Sequence, residues 1–342
     1  MRFSSPVDRV LAGWFAGMLC ALLLALGALA LINRTVYDPA GQVRQYFQAL
    51  REGDGSRALG ILDAQVPQGV APAGQGEAKK PAPDAALMDG QALKNSVADL
   101  KDLDVRTTSI SEDGEHASVT ADYELAGQRQ STEFHLHRVG SHWGVFDRWH
   151  IDRGSLPTVQ VSSPTATTAT VNNVKVGLTH GTGQFVTFYP GVYKSTYVSS
   201  LYEAPEQQVA VTAADQRDQK LSLQLEPSSS AQNAITYQIA SHLDSCATQD
   251  TLYPAGCPFE YPFTGRVQGD VSWAITEYPK PKPTVGPEGN WLLPESRGKA
   301  KISFTELDLL TGQTRQLTEE VPFTYRASVS TDNEQVKVTP QQ

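Results

Sequence analysis

The apolar positions of this chain follow three different rhythms. From Val10 to Ile32 they run unbroken, as VLAGWFAGMLCALLLALGALALI, without a charge. About 20 apolar residues, each rising 1.5 Å, cross a bilayer core, so a membrane-spanning helix is expected here. Arg2 and Arg9 precede it and Ala28-Leu29-Ala30 lies near its end, features that a cleaved signal peptide shares. The run exceeds the roughly 7–15 apolar residues of a signal peptide, which favours an uncleaved anchor. Cys20 follows Leu19 in the middle of the run, and a lipid-modified cysteine would follow a small residue.

The second rhythm is helical. After Asp38-Pro39, a good capping and first-turn pair, Val43, Tyr46, Phe47 and Leu50 share one face. Gly53-Asp54-Gly55 ends that helix. A short second helix offers Ala58, Leu59, Ile61 and Leu62 to a core, residues 64–86 are a Pro/Ala/Gly-rich loop, and a third helix is expected from Leu87 to Leu100. Far downstream, Ser228–Ser230 can cap a helix with Ala231, Ile235, Ile239, His242 and Leu243 on one face, ending near Cys246.

The third rhythm is alternation, the signature of half-buried strands. It appears over Val105–Ile110 and Ala117–Leu125, at Phe134 and Leu136, and from Trp143 to Ile151, with turns at 112–115, Gly127 and Gly140. Leu156–Thr170 is rich in Pro, Ser and Thr and suits an extended spacer. Short strands follow around Val174–Val176, Phe185–Tyr189, Tyr193–Leu201 and Gln208–Val211. Leu221, Leu223 and Leu225 read as another. Longer strands are expected at Arg266–Tyr278, Lys299–Leu310 and Gln313–Val329, the last two joined by a tight Thr311-Gly312 hairpin.

The fold class expected is therefore α+β. An N-terminal transmembrane helix precedes a helix-plus-curved-antiparallel-sheet domain, a small β-sandwich module and a second helix-plus-antiparallel-sheet domain. The boundaries are a cytoplasmic tail at 1–9, the anchor at 10–32, a first domain at 36–153, a linker at 154–170, a β module at 171–213 and a C-terminal domain at 214–342.

Composition changes this picture in two places. The 342 residues carry a formal net charge of −9, which argues against a nucleic-acid partner, since such a partner demands a basic patch. Outside the anchor the only cysteines are Cys246 and Cys257. In a non-cytosolic domain such a pair forms a disulfide; two free thiols are the alternative, and two cysteines alone make a poor zinc site. Arginines flank the anchor on both sides, so the cysteines decide the orientation: N-terminus cytoplasmic, bulk extracytoplasmic.

Two stretches carry a resemblance. AGQVRQYFQALREGDGSRAL (Ala40 to Leu59), followed by a sheet ending in HWGVFDRWHI (His142 to Ile151), resembles the nuclear transport factor 2-like, cystatin-like cone. That implies helices packed into a curved antiparallel sheet over 36–153, and no particular chemistry, because this fold hosts enzymes, ligand binders and inert scaffolds. The VNNVKVG start and FYPGVY turn are similar to small extracytoplasmic β modules of the PEGA type. The string of one span, β modules and a cone resembles the teicoplanin-resistance-associated membrane proteins of Gram-positive bacteria, without their N-terminal zinc ribbon.

Candidate chemistry is sparse. His135-x-His137 puts two imidazoles on one strand face, with His142 and His150 as possible neighbours for a metal; a solvent-facing pair is the alternative. Asp147, His150 and Asp152 at the sheet's end are the candidates for an acid–base pair in a cone pocket, against a salt-bridge cluster with Arg148 and Arg153. Phe188, Tyr189, Tyr193 and Tyr197 are the candidates for a peptide- or glycan-binding face, against plain cross-strand packing. No catalytic residue and no cofactor are expected. The function expected is a non-enzymatic cell-envelope protein, held in the membrane by residues 10–32, whose exterior modules bind a partner protein, wall polymer or small ligand. The alternatives are an enzyme or ligand carrier using the cone pocket, and a mechanical spacer.

Overall fold

A computed structural model describes residues 14–25, 27, 38–64, 83–142, 146–217 and 219–341. It is α+β with mostly antiparallel sheets, one of them curled into a half-barrel. Residues 14–25 are helical, with side chains such as Trp14, Phe15 and Leu24 exposed. The ends of the expected 10–32 span, and residues 65–82 of the expected loop, lie outside the described residues. No described helix is long and apolar enough to cross a membrane.

The chain divides into two compact units. The first comprises residues up to Val161, then Thr168–Ser195 and Gln207–Leu221; the second comprises Ser162–Thr167, Thr196–Glu206 and Ser222–Gln342.

In the first unit, α1 (Pro39–Glu52) begins at Asp38 with Pro at the start and ends at Gly53, whose φ of 71° is the left-handed cap that favours glycine. Asp38 does not cap α1 with its carboxylate, which accepts a hydrogen bond from Thr107 instead. α2 (Gly55–Ile61) is capped by Asp54, which accepts from the Arg57 amide at 2.9 Å. α3 (Gly90–Ser96) is much shorter than the expected 87–100 helix, because Leu87 and Met88 are buried in the turn before it and Val97 and Leu100 in the turn after it.

The sheet beside these helices runs in the order β1 (Lys101–Ile110), β2 (His116–Leu125), β3 (Gln128–His142), β4 (Phe146–Ile151). Ala126 and Gly127, both at positive φ (51° and 77°), make the two-residue turn joining β2 to β3. That turn sets Leu125 opposite Gln128 and fixes the register of every pair beyond it. The inner face of β2 buries Ala117, Val119, Ala121, Tyr123 and Leu125, and α1 packs on the sheet through Val43, Tyr46, Phe47 and Leu50, all fully or almost fully buried.

The Leu156–Thr170 spacer expectation is corrected. β5 (Thr158–Ser162) and β6 (Thr168–Val171) lie in it, and Val159, Val161 and Ala169 are core residues. Hydroxyl-rich composition suited a solvated linker, but the intervening valines and alanines alternate and bury one side. β6 pairs with β7 (Val174–Gly177) through a turn with Asn172 and Asn173 at φ 47° and 65°. They join β9 (Gly191–Val198) and β10 (Tyr202–Val211) in the order β10-β9-β6-β7, while β11 (Gln219–Ser222), β5 and β8 (Thr182–Val186) form a second sheet. Thus residues 219–221 pair with the expected linker instead of opening a separate C-terminal domain.

In the second unit, Tyr202 and Glu203 pair with β12 (Glu226–Pro227). Ser228 caps α4 (Ser229–Ala247), its hydroxyl accepting from the Ala231 amide at 3.1 Å. Ala231, Ile235, Ile239, Leu243 and Cys246 are buried on one side of α4, against β13 (Arg266–Glu277), β16 (Ser296–Leu307), β17 (Thr314–Asp332) and β18 (Gln335–Gln341), which pair in that order. A small ladder, β14 (Thr284–Val285) with β15 (Trp291–Leu292), interrupts the Pro-rich segment between β13 and β16. The hairpin joining β16 to β17 is not the tight Thr311-Gly312 turn expected: it spans 308–313, with the Asp308 carboxylate accepting from the Leu310 and Thr311 amides. The sulfurs of Cys246 and Cys257 lie 2.09 Å apart, at disulfide distance, and tie the end of α4 to the segment leading to β13.

Candidate functional site: the histidine face of the first sheet

Strand alternation and register together decide where the candidate residues go. On β2 the odd residues from Ala117 to Leu125 are buried, and on β3 the even residues Thr132, Phe134 and Leu136 are buried. The opposite parities, His116 and Ser118 on β2 and His135 and His137 on β3, therefore face outward. Register puts His116 opposite His137, and His137 opposite His150. Three imidazoles from three adjacent strands so stand in one row. Beside it runs Ser118 opposite His135, with the Asp152 amide donating to the His135 carbonyl at 2.7 Å.

His137 and His150 face each other with ring centroids 6.3 Å apart and planes at 69°. His137 Nδ1 lies 2.7 Å from the Asp152 carboxylate, which can only accept, so this nitrogen carries a proton and in the neutral ring Nε2 is the acceptor. His135 turns instead to Ser118, Nδ1 to Oγ at 3.3 Å. Asp63, just after α2, pairs with Arg153. Its carboxyl is held below the usual carboxylate range first by the hydrogen-bonded Arg153 guanidinium, with His150 and His137 acting in the same direction.

The acid–base constellation is not assembled. Asp147 shares its parity on β4 with the buried Trp149 and Ile151, so Asp147 and His150 belong to opposite faces. Asp147 sits 3.3 Å from Arg138, whose guanidinium also holds Glu115. Asp152 follows His150 outward.

The aromatic candidates are core. Phe188, Tyr189 and Tyr193 are 1%, 7% and 0% exposed, and only Tyr197 among the four is half-buried. The reason is shape: an antiparallel sheet that curves over a single helix leaves a hollow, and the Phe188–Tyr189 segment fills it. Phe134 and Tyr189 stack with centroids 5.8 Å apart, Tyr46 meets Phe134 edge-on at 5.9 Å, and the Tyr46 hydroxyl donates to the Tyr189 carbonyl. Burial pushes the Tyr189 phenol up to about 12 and raises Tyr46 well above its ordinary value, so both rings stay neutral and inert.

Among the described residues no three His, Cys, Asp or Glu side chains already converge on one metal position. The sequence spacing pairs His135 with His137 and offers His142 and His150 as possible neighbours, but it does not reach His116 or the row. The available signal was the two-residue turn at 126–127: counting outward from it sets His116 opposite His137. No protein-family model, curated protein or solved structure matches this chain.

Proposed function

We propose that this chain is a non-enzymatic, single-span membrane protein of a bacterial cell envelope, whose exterior units recognise a partner protein or wall polymer through their surfaces. The observation that carries this reading is the filled hollow of the first sheet. Tyr46, Phe134 and Tyr189 occupy the volume where a cone-shaped domain would hold a substrate, and in this close-packed ring cluster the Tyr46 hydroxyl is already committed to the Tyr189 carbonyl. The α1-on-curved-sheet arrangement suits the cone resemblance of residues 36–153, used here as a scaffold. The cysteine pair at disulfide distance suits an oxidising compartment, and the apolar 10–32 run suits an anchor.

The test is made on the full chain expressed with its own N-terminus in a bacterium. Expected are membrane fractionation that resists alkaline carbonate, protease access to the bulk of the chain from outside, a denatured mass two hydrogens lighter than the reduced chain, and saturable sedimentation with purified cell walls or crosslinking to one envelope protein. A carbonate-soluble, protease-protected, fully reduced protein would overturn the reading, as would turnover of any substrate by the parent chain.

A further inference from the structure

None of the rings in the row of histidines on the outer face of the first sheet is packed into the core. We propose that His137 and His150 bind one divalent transition-metal ion of the zinc, copper or nickel class, bridged across β3 and β4, with Asp152 as the positioning residue. The proposal goes beyond the envelope reading and does not depend on it.

Directly opposed residues on neighbouring antiparallel strands hold their Cβ atoms about 4.5–5.5 Å apart, and the His137–His150 pair is such a couple. A zinc–imidazole bond of about 2.0–2.1 Å puts each ring centroid about 3.2 Å from the ion. Two rings sharing an ion in a tetrahedral arrangement then stand about 5 Å apart. The present 6.3 Å separation closes to that with about 1 Å of ring movement, which outward-facing side chains make freely. The Asp152 carboxylate on His137 Nδ1, at 2.7 Å, is the arrangement that orients metal-binding histidines, because it fixes the tautomer and makes Nε2 the better donor. Water completes the coordination, which is why no three side-chain donors need converge. Imidazole pairs suit zinc, copper and nickel, whereas calcium and magnesium demand oxygen ligands.

The same geometry favours His150 over the neighbour along the chain. His135 sets its Nδ1 3.3 Å from the Ser118 hydroxyl and lacks a carboxylate of the kind that orients His137. His116 also stands opposite His137, on its far side, but it is the His150 ring that lies 6.3 Å from the His137 ring.

Isothermal titration of zinc sulfate, and separately nickel chloride, into the purified full chain in detergent tests this. One ion per chain is expected. H137Q and H150Q should each abolish saturable binding, D152N should weaken it about tenfold, as loss of an orienting partner does, and H135Q and H116Q should leave it within about twofold. These side chains are outside the core, so near-ultraviolet circular dichroism of each variant should match the parent. As a second measurement, zinc should protect His137 and His150, and not His180, from diethylpyrocarbonate in the unmutated chain, read by peptide mass. Absence of stoichiometric binding, binding that survives H137Q and H150Q together, or loss of binding in H135Q or H116Q would overturn the proposal.

Discussion

Truncating Phe134 to alanine interrogates the filled hollow directly. The ring is 2% exposed and contacts three others: it stacks on Tyr189 at 12° and meets Tyr46 and Phe47 edge-on, at 5.9 and 6.1 Å. Removing a fully buried phenyl group costs about 3–5 kcal/mol, through lost transfer energy plus the cavity left behind. For a unit of 150–250 residues, each kcal/mol lowers the melting temperature by about 2–4 °C, so F134A should melt about 6–20 °C lower. The stacked pair can be isolated by a double-mutant cycle with F134L and Y189L, whose coupling should be about 0.5–1.5 kcal/mol. Thermal melts followed in the near ultraviolet report the tyrosine environments directly. A shift below about 2 °C, or zero coupling, would mean that the rings line an open pocket, and the filled-hollow argument would fail with it.

Other expectations test separate parts of the molecule. Replacing Cys246 and Cys257 together by serine opens a loop with a sequence separation of 11, and the chain-entropy estimate for such a loop is about 3 kcal/mol; calorimetry showing no loss would mean the cysteines are not bonded. Gly55→Ala would place a methyl carbon 1.9 Å from the Met88 carbonyl oxygen, a backbone clash that should cost about 1–3 kcal/mol; denaturant titration giving an unchanged midpoint would refute that approach. The Leu310 and Thr311 amides hold the Asp308 carboxyl below the usual range. A depressed folded pKa gives stability that is complete above the unfolded value and is lost as pH falls through the folded one. D308A should therefore be less stable than the parent at neutral pH, with the difference closing in strong acid; a constant difference across the titration would contradict the assignment.

Sequence legibility varied by element. α1 could be read from Val43, Tyr46, Phe47 and Leu50 because each constraint is local: one apolar face, a proline at the start and a glycine at the end. α4 could be read for the same reason, with Ser228 as its cap. The short α3 could not, because Leu87, Met88, Val97 and Leu100 are apolar in a helix-like spacing yet are buried from turns. β5 was hidden because threonine and serine dilute Val159 and Val161, and β18 because Val336 and Val338 stand alone among polar residues. Of the candidate residues, the half-turned pair His135 and His137 was visible as a spacing. His116 and His150 lie on other strands: the sequence offers His150 only as one possible neighbour, and register alone brings in His116.

The sequence by itself determined everything that depends on neighbours within a few residues. These are the apolar run at 10–32, the capped faces of α1 and α4, the inward and outward parity of β2 and β3, and the nearness of Cys246 to Cys257. Only the tertiary structure decided which distant residues meet. It joined β5 to β11, closed the hollow with Tyr189, separated Asp147 from His150 by strand parity, and lined up His116, His137 and His150. The physical reason is that strand pairing and packing are set by long-range burial. A one-residue change of register would move every side chain of a strand to the other face, and local sequence does not encode that choice until the turn and the core fix it.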